Sequence, residues 1–163
     1  MKMKIRSLFA AALVLSSGAA FAATTDLQVN VLATIPASNG LDIEDVGGWS
    51  LNPQTMVYNR TAETLAPVTQ PLRIKSGIGA VTAHLSTAPK LVSVGDSIDM
   101  VVSIGGLTLP LGSVAPVEIA SEAQALAGID KEFQVAAAAA PVAGYAPGNY
   151  TGIVHMVFDS VAP

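Results

Sequence analysis

From Leu27 onward the apolar side chains Leu27, Val29, Val31, Ala33 and Ile35 alternate with Gln28, Asn30, Leu32 and Thr34, and the run stops at Pro36. Successive side chains of a strand point to opposite faces, so these five apolar residues share one face of an extended segment. Pro36 fixes φ and cannot donate to a β-ladder, which separates the segment from the rest of the chain. On periodicity alone it could equally be the first strand of a sandwich. Beyond it, short alternating or β-branched runs recur between Gly, Pro, Asn and Asp. They predict strands at Leu41–Val46, Thr55–Asn59, Pro71–Lys75, Ala80–Ser86, Ser97–Ile104, Leu107–Leu109, Lys131–Ala137 and Tyr150–Phe158. The last run is apolar at nearly every position, which reads as a strand covered on both faces. The expected class is all-β.

Turn chemistry supports these divisions. Asn39-Gly40, Gly47-Gly48, Gly95-Asp96, Gly105-Gly106 and Pro147-Gly148-Asn149 supply residues that tolerate positive φ or fix a bend. Gly105-Gly106, between Met100–Ile104 and Leu107–Leu109, is the clearest hairpin signal. One helical turn is expected at Ser121–Leu126, with Ser121 as its N-cap. The alanines 136 to 140 favour helix by propensity, but Pro141, Gly144, Pro147 and Gly148 argue for an extended edge or loop. No internal repeat and no linker divides the chain, and its length fits one sandwich-sized domain with extensions.

The N-terminus changes the charge balance. Lys2, Lys4 and Arg6 precede the apolar run Leu8–Leu15, and Ala20-Phe21-Ala22 has the small-x-small form of a signal-peptidase site. Residues 1–22 therefore read as a secretory signal cleaved after Ala22. A membrane anchor is the rival, but a spanning helix needs about 20 apolar residues and Ser16 and Ser17 end this run early. Of the 163 residues, 12% are charged, eight of them basic and twelve acidic, for a net charge of −4. Removing the leader takes three positive charges, which leaves five against twelve and a net charge of −7. That balance argues against nucleic acid as a partner, because phosphate backbones attract basic surfaces.

Candidate chemistry is sparse. With no cysteine there is no disulfide framework, thiol nucleophile or thiolate metal site. His84 and His155 fall in different strand-like runs with no HxH or HExxH spacing. Asp96 and Asp99 lack the oxygen-rich continuation of a calcium loop, and read as solvated turn residues. Gly77-Ile78-Gly79 falls short of a phosphate loop, and no GxSxG elbow occurs. Asn59-Arg60-Thr61 and Asn149-Tyr150-Thr151 fit a glycosylation sequon but read as unmodified turn residues. Trp49 and Tyr58 could form a carbohydrate platform, although a lone Trp is more often core. The chain reads as a non-enzyme with no cofactor and no metal.

Gly148-Asn149-Tyr150-Thr151-Gly152-Ile153-Val154, followed by Met156-Val157-Phe158, resembles the last strand of the major pilin subunits of CS1-type fimbriae, also called the alpha or class 5 fimbriae. That family includes the colonisation-factor pilins and the cable pilin. Val29–Pro36 is similar to the family's N-terminal segment, and His84–Leu109 to its central strand, loop and GG hairpin; residues 41–70 and 115–147 match only loosely.

The resemblance implies a chaperone-usher pilin: an incomplete immunoglobulin-like β-sandwich whose missing last strand leaves an apolar groove. Residues 1–22 would be the signal peptide, 23–36 a donor-strand extension and 37–163 the pilin domain. It further implies that Leu27, Val29, Val31, Ala33 and Ile35 enter the groove of a neighbouring pilin subunit, with Pro36 as hinge. Tyr150, Gly152, Val154, Met156 and Phe158 would form the face of the last strand that borders the groove. The partners implied are a periplasmic chaperone, an outer-membrane usher and a tip adhesin, on a route through the periplasm to the cell surface. A secreted or periplasmic monomeric β-sandwich that binds carbohydrate or inhibits an enzyme is the alternative from another class. A small outer-membrane barrel is disfavoured by strands this short and aromatic residues at 5%.

Overall fold

Alternation sets the inner face of each strand in the computed structural model, which describes residues 40–162. The strands in chain order are β1 (Leu41–Asp45), β2 (Tyr58–Asn59), β3 (Thr64–Leu65), β4 (Val68–Ser76), β5 (Ala80–Leu85) and β6 (Lys90–Val92). There follow β7 (Ser97–Ile104), β8 (Leu107–Thr108), β9 (Val117–Ala120), β10 (Ile129–Ala137) and β11 (Met156–Val161), with one short helix, α1 (Glu122–Ala127), between β9 and β10. In β4 the side chains of Leu72, Ile74 and Ser76 are buried while those of Arg73 and Lys75 are exposed. In β7 Ile98, Met100, Val102 and Ile104 are buried against exposed Ser97, Asp99 and Val101.

The main sheet runs β1-β4-β10-β7-β6, with β8 folded back on β7, and the facing sheet has three strands, β11-β5-β9. All of these pairings are antiparallel. The core between the sheets joins Leu72 and Ile74 of β4 and Phe133 and Val135 of β10 to Val81, Ala83 and Leu85 of β5 and Ile119 of β9. This is an immunoglobulin-like β-sandwich, wide on one side and narrow on the other. Gly105 and Gly106, at φ 58° and 80°, close the β7–β8 hairpin as a two-residue turn with positive φ at both positions.

Several strands differ from the sequence expectation for reasons the backbone makes plain. The strand expected at Pro71–Lys75 extends to Val68–Ser76, with Pro71 inside a strand paired on both sides. Proline is tolerated here because Gly77 N–H donates to Gly40 O, which turns the odd-numbered residues of β4 toward β1. β1 ends opposite Leu72, so no ladder partner awaits the missing N–H of Pro71. The carbonyl of Pro71 accepts a hydrogen bond from Trp49 Nε1 at 2.8 Å. Thr55–Asn59 shortens to the two residues of β2, which pair only with β3. β3, β6 and β9 are additions to the expected set; each has four residues or fewer, too few for an alternation to register. Asp99 lies within β7 and pairs with Lys90 of β6 at 3.0 Å, so it is a strand residue rather than a turn residue.

α1 forms where expected. Ser121 is its N-cap, and Gln124 Oε1 accepts a hydrogen bond from Ser121 N–H at 3.2 Å. The alanine run joins β10 through Ala137 and then leaves the sheet. Trp49 sits in a 3-10 turn after β1, stacked on buried Phe133 with ring centroids 5.1 Å apart. It therefore caps the core rather than offering a sugar platform. Tyr58 meets Tyr145 edge to face at 6.4 Å.

Candidate functional site

The largest correction concerns the C-terminal segment. The strand expected at Tyr150–Phe158 instead spans Met156–Val161, and Tyr150–His155 precede it outside regular strand structure. β11 is also not covered on both faces: Met156, Phe158 and Ser160 are half-buried, whereas Val157, Asp159 and Val161 are exposed. Upstream, Thr151 makes an isolated antiparallel bridge to Val92 through two hydrogen bonds of 2.8 and 3.0 Å. The segment thus pairs with β6 of the wide sheet at one end and with β5 of the narrow sheet at the other.

Two glycines hold it there. A Cβ on Gly152 would run into the carbonyl of Lys90 in β6, and a Cβ on Gly79 would run into the carbonyl of Val161. The Gly152 of the sequence motif is therefore a close-approach position where the segment leaves β6. Tyr150 does not join a ladder; its hydroxyl donates to Ala146 O at 2.9 Å and ties the segment to the preceding loop.

β1 and β11 lie on the same side of the sandwich. Leu41 of β1 is the ladder partner of Ser76 at the end of β4. Ser76 of β4 and Ser160 of β11 meet there across the sheets, with their hydroxyl oxygens 2.6 Å apart. Neither β1 nor β11 has a second strand partner among the described residues.

The hydrogen-bond pattern fixes what each edge presents. Ser86 N–H donates to His155 O at 3.1 Å, so the odd residues of the C-terminal segment turn their backbone groups toward β5. Met156, Phe158 and Ser160 consequently aim their N–H and C=O groups outward. By the same logic Leu41 and Ile43 of β1 aim theirs outward, because Gly40 bonds toward β4. Two open ladders thus border one gap, and the side chains beside them, Leu41, Ile43, Val154, Met156 and Phe158, are only half-buried while packing on the core. Leu41, Ile43 and Ser160 carry no sequence signal for this site, since a wall made by two sheets is not visible along one strand.

Of the site residues expected from the sequence, Val154, Met156 and Phe158 are half-buried and pack against the core, the latter two in the edge strand β11. Gly152 stands beside β6, and Tyr150 is turned to Ala146. Leu27, Val29, Val31, Ala33, Ile35 and Pro36 lie outside the described residues, as does the leader.

Charge gathers on the outer face of the wide sheet rather than in the gap. Arg73 stands between Glu44 and Asp130 in the ladder and pairs with Asp130 at 2.7 and 3.0 Å. The hydrogen bond and charge of Arg73 hold the Asp130 carboxyl below its ordinary range. Ser50, donating through its hydroxyl and its amide, does the same for Asp45. His84 faces away from the core of β5 yet is 6% exposed, with Nδ1 3.8 Å from Asp159 Oδ2 and no hydrogen-bond partner among the described residues.

The family model of the CS1 type fimbrial major subunit matches residues 25–159. No curated protein matches the chain in sequence. The structure is similar to that of the CooA pilin subunit from enterotoxigenic Escherichia coli, with a TM-score of 0.55 and 19% identity over 74% of this chain and 86% of that chain. An all-β sandwich with two open edges and a family match over most of its length leads to one conclusion: this chain belongs to the CS1-type fimbrial major subunits, the structural pilins that polymerise with one another into a fimbria at the cell surface.

Proposed function

We propose that the subunit polymerises by donor-strand complementation, with Leu27, Val29, Val31, Ala33 and Ile35 of one copy filling the gap between β1 and β11 of the next and Pro36 acting as the hinge between donor and domain. The observation that carries this reading is the pair of outward-facing ladders over a half-buried apolar wall. An added strand supplies backbone hydrogen bonds to such an edge, and its alternate side chains enter the core. Full burial of side chains of this size is worth about 1.5 to 3 kcal/mol each before ordering costs, enough over five positions for a long-lived joint. Donor and acceptor are different surfaces of one chain, so the contact is head-to-tail and propagates into a filament.

An open edge beside apolar side chains is an aggregation hazard. In this reading residues 1–22 direct export to the periplasm, a chaperone there occupies the edge of β11, an outer-membrane usher exchanges it for the donor, and a separate tip adhesin starts the fibre. Residues 23–36 are then the extension and 37–163 the pilin domain, with no catalytic role. Val31→Asp puts a charge in the middle of the donor face. It should leave the subunit exported and captured by chaperone but unable to extend fibres; micrographs showing fibres of normal length would overturn the reading. Wild-type fibres should also yield ladders of multimers that resist denaturant, whereas a lone monomer band would favour the soluble binding module.

A further inference from the structure

We infer that Ser76 and Ser160 are positioning residues for assembly: with the turn Gly77-Ile78-Gly79 they tie together the two strands that border the gap, β1 and β11, and hold the open edge of β11 in place before any strand arrives. The inference rests on the donor-strand reading and adds the groups that keep the acceptor edge ordered.

Ser76 ends β4 and is 2% exposed. A buried hydroxyl needs partners, and this one has two. Its Oγ accepts a hydrogen bond from Ile78 N–H at 3.1 Å and meets Ser160 Oγ at 2.6 Å. Ser160 Oγ in turn donates to Gly79 O at 3.4 Å. A hydroxyl carries a single proton. That of Ser160 goes to Gly79, so that of Ser76 goes to Ser160. The chain of bonds leaves the turn at Ile78, crosses from the wide sheet to the narrow one, and returns to the same turn at Gly79. Among the described residues no other side-chain hydrogen bond joins a strand of the wide sheet to a strand of the narrow one.

The same turn also reaches the opposite border of the gap. Gly77 N–H donates to Gly40 O at 3.4 Å, immediately ahead of β1, and Leu41 of β1 is the ladder partner of Ser76. On the other side the turn presses against β11, because a Cβ on Gly79 would run into the Val161 carbonyl. The run Gly77-Ile78-Gly79, which makes no phosphate loop, is thus a junction of both edges.

β11 needs such a tie. It has a ladder on one flank only, and segments with few buried contacts and open backbone groups loosen first. An edge already held in its final shape spares the incoming strand the cost of ordering it. Ser160 acts on assembly through β11, without touching the reacting strand in this account.

The test uses the full mature chain carrying Val31→Asp, which disables its own extension, and a fluorescent peptide of residues 27–35 whose binding is read by anisotropy. Ser160→Thr keeps the hydroxyl, whereas Ser160→Val has nearly the same shape without it and leaves the Ser76 proton with no acceptor. Ser160→Val should weaken peptide binding about tenfold, the scale of one buried donor left unsatisfied, and Ser160→Thr should bind like the parent. Hydrogen exchange separates positioning from general stability. In Ser160→Val the Asp159 and Val161 amides, which face β5, should exchange faster while those of Ile74 and Val102 in the core hold. Ser76→Ala should reproduce the loss, and combining it with Ser160→Val should add little, since both break one chain of bonds. Equal binding by the Thr and Val variants, additive losses, or exchange that quickens in step throughout the core would each overturn the inference and leave the donor reading standing. A parent chain that does not bind the peptide overturns both.

Discussion

Ile74 lies fully buried in the middle of β4, directly between Ile43 of β1 and Ile129 of β10. Removing its side chain leaves a void that the two sheets can only partly close. Ile74→Ala should cost about 2 to 5 kcal/mol, read as a fall in the denaturation midpoint of the assembled subunit. The solvent face of the same strand behaves differently. Arg73 and Asp130 are both about half exposed, where solvent and salt screen an ion pair. Because Asp130 is held below its ordinary value of 3.8, its favourable contribution is present above that value and fades as the pH falls through the lowered one. Asp130→Asn should therefore melt slightly below wild type at neutral pH, and the two curves should converge below about pH 3.8. Convergence at higher pH would assign the effect to another group.

At the scale of elements, the strands legible in the sequence are those long enough for period two to repeat, as in β5 and β7, or bounded by turns with a strict φ requirement, as at Gly105-Gly106. β6 and β9 escape because three or four residues look the same in a loop. The C-terminal segment misleads for another reason: Tyr150–Phe158 is apolar almost throughout, and apolarity does not reveal where the partner strand turns away. Asp159 and Ser160 look like an end, yet Ser160 reaches Ser76 in the interior and belongs to the wall of the gap. The apolar face of residues 27–35 shows in its alternation, whereas the edge formed by β1 and β11 needs the fold. Gly152 tests this element. Gly152→Val would drive a Cβ into the Lys90 carbonyl and pull Thr151 from Val92. Fibre yield should drop severalfold while chaperone-bound subunit persists, and normal yield would show that the bridge to β6 is dispensable.

At the scale of the molecule, a wide sheet of six strands faces a narrow one of three, and Leu41 and Ile43 at the edge of the wide sheet are only half-buried. The imbalance is a property of the topology, and no single side chain can repair it. A synthetic peptide of residues 27–35 should accordingly convert aggregating free subunits into monomers, and the same peptide with Val31→Asp should not. Light scattering would register the difference, and equal rescue by both peptides would detach solubility from apolar insertion.

The place of β11 in chain order carries a consequence for timing. It comes after every other strand described, so in the export reading proposed above a chain emerging through a membrane pore gains that edge only after all the other described strands. Until then β5 has β9 on one flank and nothing on the other. In that reading a chain stalled before Met156 lacks the open edge of β11 and cannot yet be enrolled in a fibre.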